Sequence, residues 1–472
     1  MVFASLFFLF VFLPSALAIY YLVPAKFRNF VLLLFSCLFY VWGAGSFIVV
    51  FLVSVLVDFG FGLWIERSPT RYKRLLVATS VTFNLAVLGY FKYSNFFVVQ
   101  SNRLFSFVGL SSIPWAEVVL PIGISFFTFH KITYVVDVYR GVRPALRNPI
   151  DFGLYLALFP QLIAGPIVRF HEISDQLRGR VESVDKLREG ILRFGWGLIK
   201  KVLIANPCGE IADAVFAVPS GGVDTVSAWL GVTAYTLQIY FDFSGYTDMA
   251  LGLGLMFGFR LPENFNRPYS AVSVTDFWRR WHMSLTRFFR DYVYIPLGGN
   301  RAGERRTYAN LMLVFVLCGM WHGANWTFLL WGAYHGFWLI TERLTGVGRS
   351  KVTTSSAARR AVTLLLVMVG WVFFRATNLS QALDVLQAMV IPQFSTLPLN
   401  VEVALNGRNI VVLLVAALVV FLPDQVKGAE LMMMRTRGVL SAVRVVGLML
   451  LGLYAVGALA SSIYNPFLYF RF

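Results

Sequence analysis

Two imidazoles stand in sequence too apolar to carry ionisable groups casually. His282 lies in Asp276-Phe277-Trp278-Arg279-Arg280-Trp281-His282-Met283-Ser284-Leu285, and His322 in Gly319-Met320-Trp321-His322-Gly323-Ala324-Asn325-Trp326. An ionisable side chain at membrane depth is costly and reads as functional by default. Imidazole accepts and returns a proton near neutral pH, which is the chemistry of general acid–base catalysis. A structural reading stands beside each: a core histidine capped by a carbonyl for His322, an interfacial residue beside a basic loop for His282. Gly323 and Asn325 are small or polar enough to open a pocket at His322, and Trp321, Trp326 and Trp331 could wall it. His335 sits on an aromatic helix and reads as structural, while His130 and His171 suggest no specific role.

A second anomaly is Gln238-Ile239-Tyr240-Phe241-Asp242-Phe243-Ser244-Gly245-Tyr246-Thr247-Asp248-Met249. Two carboxylates inside an apolar run need partners, for which the downstream arginines are candidates. The run is either a structural network or the lining of a site. A metal centre is not expected: histidines 282, 322 and 335 lack helical ligand spacing, and no Cys or Glu completes a set. Gly298-Gly299-Asn300-Arg301 reads equally as a phosphate cradle or as a turn leaving the membrane.

The elements that must hold these residues are membrane helices. The 472-residue chain is 58% hydrophobic and 14% charged, with mean hydropathy +0.68. Soluble domains carry about 25% charged residues, so lipid must cover part of this surface. The formal charge of +17 falls in short clusters between apolar segments, the pattern of cytoplasmic loops rather than of nucleic-acid binding. Cys37, Cys208 and Cys318 suggest neither a disulfide framework nor a metal site. Residues 1–23 lack a basic leader region, and their apolar run continues past Ala16-Leu17-Ala18, so they read as a retained first span rather than a signal peptide.

Apolar segments fall at about 2–23, 29–44, 46–65, 75–99, 117–138, 151–168, 191–206, 225–259, 309–341, 361–375, 381–392, 409–422 and 439–463. A simple crossing takes about 20 residues, so the short and long ones predict re-entrant or broken helices. The expected class is therefore an all-α polytopic transmembrane bundle of about 11–13 segments, forming one integral-membrane domain over 1–472. Lys26 and Arg28, then Arg67, Arg71, Lys73 and Arg74, then Arg140, Arg143 and Arg147 share the cytoplasmic side if the N-terminus is outside. Segment 151–168 breaks the alternation and carries Gly165-Pro166, which predicts a re-entrant element entering and leaving on that side. Arg169 to Glu189 is read as an interfacial amphipathic helix. The stretch 260–306 carries nine arginines, no lysine and four carboxylates, interleaved with aromatics. It serves as an aromatic belt with snorkelling cations, as a basic mouth for an anionic donor, or as both.

The tracts Phe241-Asp242-Phe243-Ser244-Gly245-Tyr246, Phe277-Trp278-Arg279-Arg280-Trp281-His282 and Trp321-His322-Gly323-Ala324-Asn325 resemble the membrane-bound O-acyltransferase family. The similarity is strongest to bacterial members of the alginate O-acetyltransferase type. Leu120-Pro121-Ile122-Gly123-Ile124-Ser125-Phe126, Leu162-Ile163-Ala164-Gly165-Pro166, Tyr294-Ile295-Pro296-Leu297-Gly298-Gly299-Asn300 and the closing Pro466-Phe467-Leu468-Tyr469-Phe470-Arg471-Phe472 extend it over essentially the whole chain. Thr247-Asp248-Met249-Ala250 leans to the polysaccharide-acetylating branch rather than the teichoic-acid D-alanylating one.

The resemblance implies a bundle with a central tunnel, His322 in the catalytic position and His282 as its pair. Trp321, Asn325, Asp242, Tyr246, Arg279 and Arg280 are the expected substrate contacts. It also implies a thioester donor such as acetyl-CoA with no bound cofactor or metal, and residence in the bacterial inner membrane as a multi-pass protein. An extracytoplasmic acetyltransferase partner, an exopolysaccharide acceptor and membrane lipid are the expected associates, and nucleic acid is not. The rival readings are D-alanyl transfer to teichoic acid and a transporter or flippase, which also uses broken helices and intramembrane polar groups.

Overall fold

The computed structural model describes residues 2–301, 303–347, 357–421, 439–461 and 464–466. Among the described residues every regular element is helical. The chain divides into two compact units, Met1–Leu187 with Gly254–Pro262, and Arg188–Leu253 with Glu263–Phe472. The basic stretch 260–306 therefore straddles the boundary at Pro262.

The first unit opens with a π-helical turn, Phe8–Phe12, running into α1 (Leu13–Leu22). Then follow α2 (Arg28–Ala44), α3 (Ile48–Arg67), α4 (Thr70–Phe107) and α5 (Ile124–Tyr139). Gly45, at φ +55°, supplies the left-handed turn that ends α2, a conformation open to glycine at little cost. The apolar stretches Ala25–Arg67, Thr70–Phe107 and, in the second unit, Ala357–Arg375 are long and apolar enough to cross a membrane. At 1.5 Å per residue α4 is about 57 Å long, well beyond the expected 75–99 and beyond a hydrocarbon core of about 30 Å.

Where α3, α4 and α5 meet, burial is complete and a carboxylate is present. Asp58 is fully buried and accepts from Ser80 Oγ at 2.7 Å and from Asn84 Nδ2 at 2.9 Å, with Lys131 Nζ 3.5 Å away. Each charge is thus compensated, which a buried ion pair requires.

The expected re-entrant stretch is broken as its sequence suggested. α6 (Pro149–Ala157) stops at Leu158, α7 (Phe159–Leu162) lasts one turn, and 163–169 has no helix at all. Irregular backbone at such depth must find partners in protein. The amide of Val168 donates to His130 Nε2 at 3.1 Å, and the amide of Phe170 to Thr133 Oγ1 at 3.2 Å. Gly165 is obligatory, since a Cβ there would lie 2.4 Å from Gln161 Cα. Asn29 Nδ2 bonds both Asp151 on α6 and the carbonyl of Leu177 on α8 (Phe170–Arg178), tying the way in and the way out to one residue.

The expected single amphipathic helix over 169–189 is two helices, α8 and α9 (Val184–Ile199), because the chain opens out from Gly179 to Ser183. Cations of the basic clusters find carboxylates within this unit: Arg147 pairs with Glu66 at 2.6 Å, Arg143 with Asp175 at 2.6 Å and Arg28 with Glu182 at 3.3 Å.

The second unit contains α10 (Asn206–Phe216), α11 (Thr225–Met256), α12 (Val274–Arg280), α13 (Met283–Phe289), α14 (Glu304–His322), α15 (Trp326–Leu344), α16 (Ala357–Arg375) and α17 (Leu379–Val390). α18 (Leu399–Ala404), α19 (Gly407–Phe421) and the helix Val439–Ser461 complete it. The single apolar run expected over 309–341 is a hairpin, α14 and α15, whose backbones touch through glycine. A Cβ on Gly319 would stand 2.2 Å from Phe328 O, and one on Gly332 2.3 Å from Phe315 O. Small residues are what allow membrane helices to pack this closely. Of the expected closing tract, residues 467–472 lie outside the described residues.

Candidate functional site

His322 is the last residue of α14. Gly323 takes extended dihedrals and ends the helix, and a Cβ there would lie 2.3 Å from the ring of Phe328. The reversal is fixed by Asn325, whose Oδ1 accepts from Thr327 N at 3.0 Å as the N-cap of α15 and whose Nδ2 donates to Thr377 O at 2.8 Å. Asn325, expected to contact substrate, thus has both ends of its amide engaged in building the turn beside the histidine. The imidazole is 5% exposed and stands among aromatic rings: Trp321 at 4.9 Å, Phe374 at 4.9 Å and Trp331 at 5.0 Å between centroids. These are edge-to-face contacts, the favourable geometry for π systems.

His282 arrives by another route. α12 begins at Ser273, whose Oγ accepts from Asp276 N, and Glu342 of α15 accepts the amides of Val274 and Thr275 at 2.5 and 2.8 Å. A carboxylate on a helix N-terminus satisfies otherwise orphaned donors. At His282 the backbone turns left-handed, φ 42° and ψ 52°, before α13 starts. A non-glycine residue there is strained, and such strain clusters at functional positions. The ring is 1% exposed, with Phe243 of α11 at 4.7 Å and Trp321 at 6.1 Å. Trp321 therefore contacts both histidines.

The partner of His282 is Asn264, a residue the sequence reading passed over. Its Oδ1 receives the Ser284 amide at 3.1 Å and the Ser284 hydroxyl at 2.9 Å, and lies 3.1 Å from His282 Nδ1. An atom accepting a backbone N–H is the carbonyl oxygen, so in the neutral ring Nδ1 carries the proton and Nε2 the lone pair.

The carboxylates of α11 meet cations that lie upstream in the chain. Asp248 accepts from Arg193 Nη2 at 3.0 Å and from Lys200 Nζ at 2.7 Å, and Asp242 pairs with Lys201 Nζ at 2.7 Å. Arg193 also grips Glu263 at 2.6 Å. The reach depends on glycine again, since a Cβ on Gly197 would lie 2.4 Å from Gly245 O. The two lysines sit in a π-helical segment, Lys200–Ala205, an irregularity that apolar spacing does not disclose. Tyr246 is buried one turn from Asp242 on α11. Asp242 is thus held in an ion pair, and its neighbour Phe243 is what reaches His282.

The expected donor cations divide. Arg280 bonds Asp276 at 3.0 Å and Ser270 Oγ at 3.1 Å, whereas Arg279 is exposed. The glycine tract 298–301 is a turn closed by its own amides, Gly298 to Ile295 O and Gly299 to Tyr294 O, with Asn310 Nδ2 donating to Gly299 O. His335 takes the Trp278 indole N–H on Nδ1 at 3.4 Å and packs on Trp331 at 5.1 Å.

An all-helical membrane chain with two histidines joined through one tryptophan is what the family comparison addresses. Residues 118–380 match the membrane-bound O-acyltransferase family model, and the chain belongs to that family. It is an O-acyltransferase. It is similar over its full length, and that of the relative, to the probable alginate O-acetylase AlgI of Pseudomonas putida, at 44% identity. The peptidoglycan O-acetyltransferase of Helicobacter pylori is 37% identical over 81% of this chain and 78% of its own. The teichoic acid D-alanyltransferase of Bacillus subtilis is 31% identical over 45% of this chain and 56% of its own.

Proposed function

We propose that this chain is a multi-pass inner-membrane O-acetyltransferase serving the O-acetylation of an exported polysaccharide, alginate or a similar glycan. The observation that supports it most is the pair His282 and His322, both buried and both in ring contact with the one indole of Trp321, inside a family whose reaction is acyl transfer. The relatives similar over most of the chain act, by their names, on glycans. The D-alanyl relative covers under half of it, which leaves D-alanyl transfer as the second reading.

In the proposed reaction the acyl carbon of a cytoplasmic thioester, acetyl-CoA, loses its C–S bond and gains a C–O bond to an acceptor hydroxyl. His322 removes the hydroxyl proton, and that proton leaves with the thiolate as thiol. His282, with its lone pair on Nε2, suits accepting a hydrogen bond and orienting a reactant better than donating to an oxyanion. The aromatic enclosure keeps water from the thioester, and a central tunnel is the route by which donor and acceptor meet. Arg279 and Arg280 are the proposed donor contacts, Trp321 and Tyr246 the proposed walls, with Asp242 and Asn325 holding the surrounding backbone. An extracytoplasmic partner completes delivery to the polymer.

Purified protein with radiolabelled acetyl-CoA and acceptor glycan tests this. Transfer that vanishes in His322→Ala, with the variant folded, supports it. Undiminished transfer in that variant removes His322 from its role, and transport without transfer would favour a flippase.

A further inference from the structure

The first unit holds a cavity of about 760 Å³ that the acyl-transfer reading does not use. Its wall brings together four cations, Lys26, Arg28, Arg178 and Arg180, against two carboxylates, Asp151 and Glu182. Both carboxylates are committed within the wall. Asp151 accepts from Asn29 Nδ2 at 2.7 Å, and Glu182 takes the Tyr20 hydroxyl at 2.7 Å and pairs with Arg28 at 3.3 Å and Arg180 at 3.6 Å.

Arg180 is committed as well. It donates to Tyr20 Oη at 2.7 Å, to Asn29 Oδ1 at 2.6 Å and to Phe257 O at 3.0 Å, so it acts as a frame. The other three cations are not used up. Arg28 spends one nitrogen on Glu182, lies over the Tyr20 and Tyr21 rings at 5.5 and 5.7 Å, and its buried Nε has no hydrogen-bond partner among the described residues. Lys26 and Arg178 are exposed and make no ion pair among the described residues. The cavity therefore offers surplus positive charge to an anion, and guanidinium groups match phosphate oxygens in geometry as well as charge.

Apolar surface adjoins the charge. Phe27 is 49% and Phe30 50% exposed, on the cavity wall beside Lys26 and Arg28, and Leu22, the last residue of α1 a few positions earlier, is 83% exposed. A free phosphate has no use for these side chains, but the acyl chains of a lipid do. We propose that the cavity seats the phosphate head group of an anionic phospholipid, gripped by Lys26, Arg28 and Arg178, with its acyl chains along Leu22, Phe27 and Phe30. Basic residues gathered at a membrane surface favour anionic lipid on electrostatic grounds.

The test uses the full chain in neutral detergent, titrated with phosphatidylglycerol, phosphatidylcholine and inorganic phosphate, with bound lipid read by native mass spectrometry. Wild type retains phosphatidylglycerol over phosphatidylcholine. A Lys26→Gln/Arg178→Gln double variant binds it at least ten-fold more weakly, whereas Arg71→Gln/Arg408→Gln, which removes the same charge elsewhere, binds as wild type. Arg28→Gln weakens binding further if its thermal unfolding stays cooperative. Equal retention by both double variants overturns the site. Inorganic phosphate that displaces the lipid and binds as tightly overturns the lipid reading in favour of a soluble phosphate ligand. None of these residues belongs to the proposed acyl-transfer machinery, so acetyl transfer is scored separately and its failure leaves this result standing.

Discussion

Asn264 Oδ1 lies 3.1 Å from His282 Nδ1 while holding the amide and hydroxyl of Ser284. One buried amide thus sets both the tautomer and the position of an imidazole. Asn264→Ala removes that acceptor and leaves the Ser284 donors buried without it, a loss of about 1–3 kcal/mol. Acetyl transfer is expected to fall by about one to two orders of magnitude, at or below the lower end of the range of about 10²–10⁴ that a positioned acid or base itself supplies. Initial rates against thermal unfolding in detergent separate the two effects; full activity in a destabilised variant would mean that the tautomer is irrelevant.

Removal of the other ring makes a sharper test. His322→Gln keeps a polar side chain of similar length yet cannot act as a base. Transfer is expected to drop at least about 10²-fold with little change in melting temperature. Donor binding, followed by equilibrium dialysis of acetyl-CoA, is expected to remain.

The glycine seam of the α14–α15 hairpin predicts an asymmetry. Gly319→Ala places a methyl group 2.2 Å from a carbonyl oxygen, so the helices must part, at a cost of about 1–3 kcal/mol. Gly60→Ala, in α3 with nothing within 4 Å, is expected to be neutral or slightly stabilising. A lower melting temperature for the first alone confirms the close approach; equal behaviour refutes it.

The Asp58–Lys131 pair calls for a double-mutant cycle. Asp58→Asn or Lys131→Met alone strands a buried charge and is expected to cost about 3–5 kcal/mol, while the double variant costs much less than the sum. Additive losses in denaturant titration would show that the two groups do not sense one another.

Glu182 predicts an acid-sensitive contribution. Burial pushes its pKa up, but the Tyr20 hydroxyl together with Arg180 and Arg28 outweighs that and holds it below the usual carboxylate value. A lowered folded-state pKa means stability that is complete above the unfolded value of about 4.3 and lost as pH falls beneath it. Wild type is therefore expected to lose melting temperature more steeply than Glu182→Gln as pH drops through that range. Parallel curves would exclude the effect.

Much of the fold was legible because lipid imposes one rule, that apolar segments become helices, and because basic clusters mark their ends. Arg28, Arg143 and Arg147, read from sequence as cations flanking apolar segments, do lie at or beyond helix ends or in the first turn, and each meets a carboxylate of the first unit. The break near Gly165-Pro166 was legible from backbone chemistry. What stayed hidden is what depends on contact between distant segments. Asn264 shows no anomaly in sequence until His282 folds against it. Lys200 and Lys201 fall inside the apolar run 191–206 with nothing in sequence to name their partners until a π-helical segment aims them at Asp248 and Asp242. Gly319 and Gly332 mark the hairpin in retrospect, but composition alone cannot say which glycines touch backbone.

The left-handed backbone at residue 282 carries one more consequence. Asparagine and glycine fit that conformation with least strain, and β-branched side chains fit it worst. His282→Asn and His282→Gly are thus the replacements that spare the chain trace, and they probe the ring alone. A library built at this site from valine, isoleucine or threonine would report a collapsed loop and be mistaken for lost chemistry.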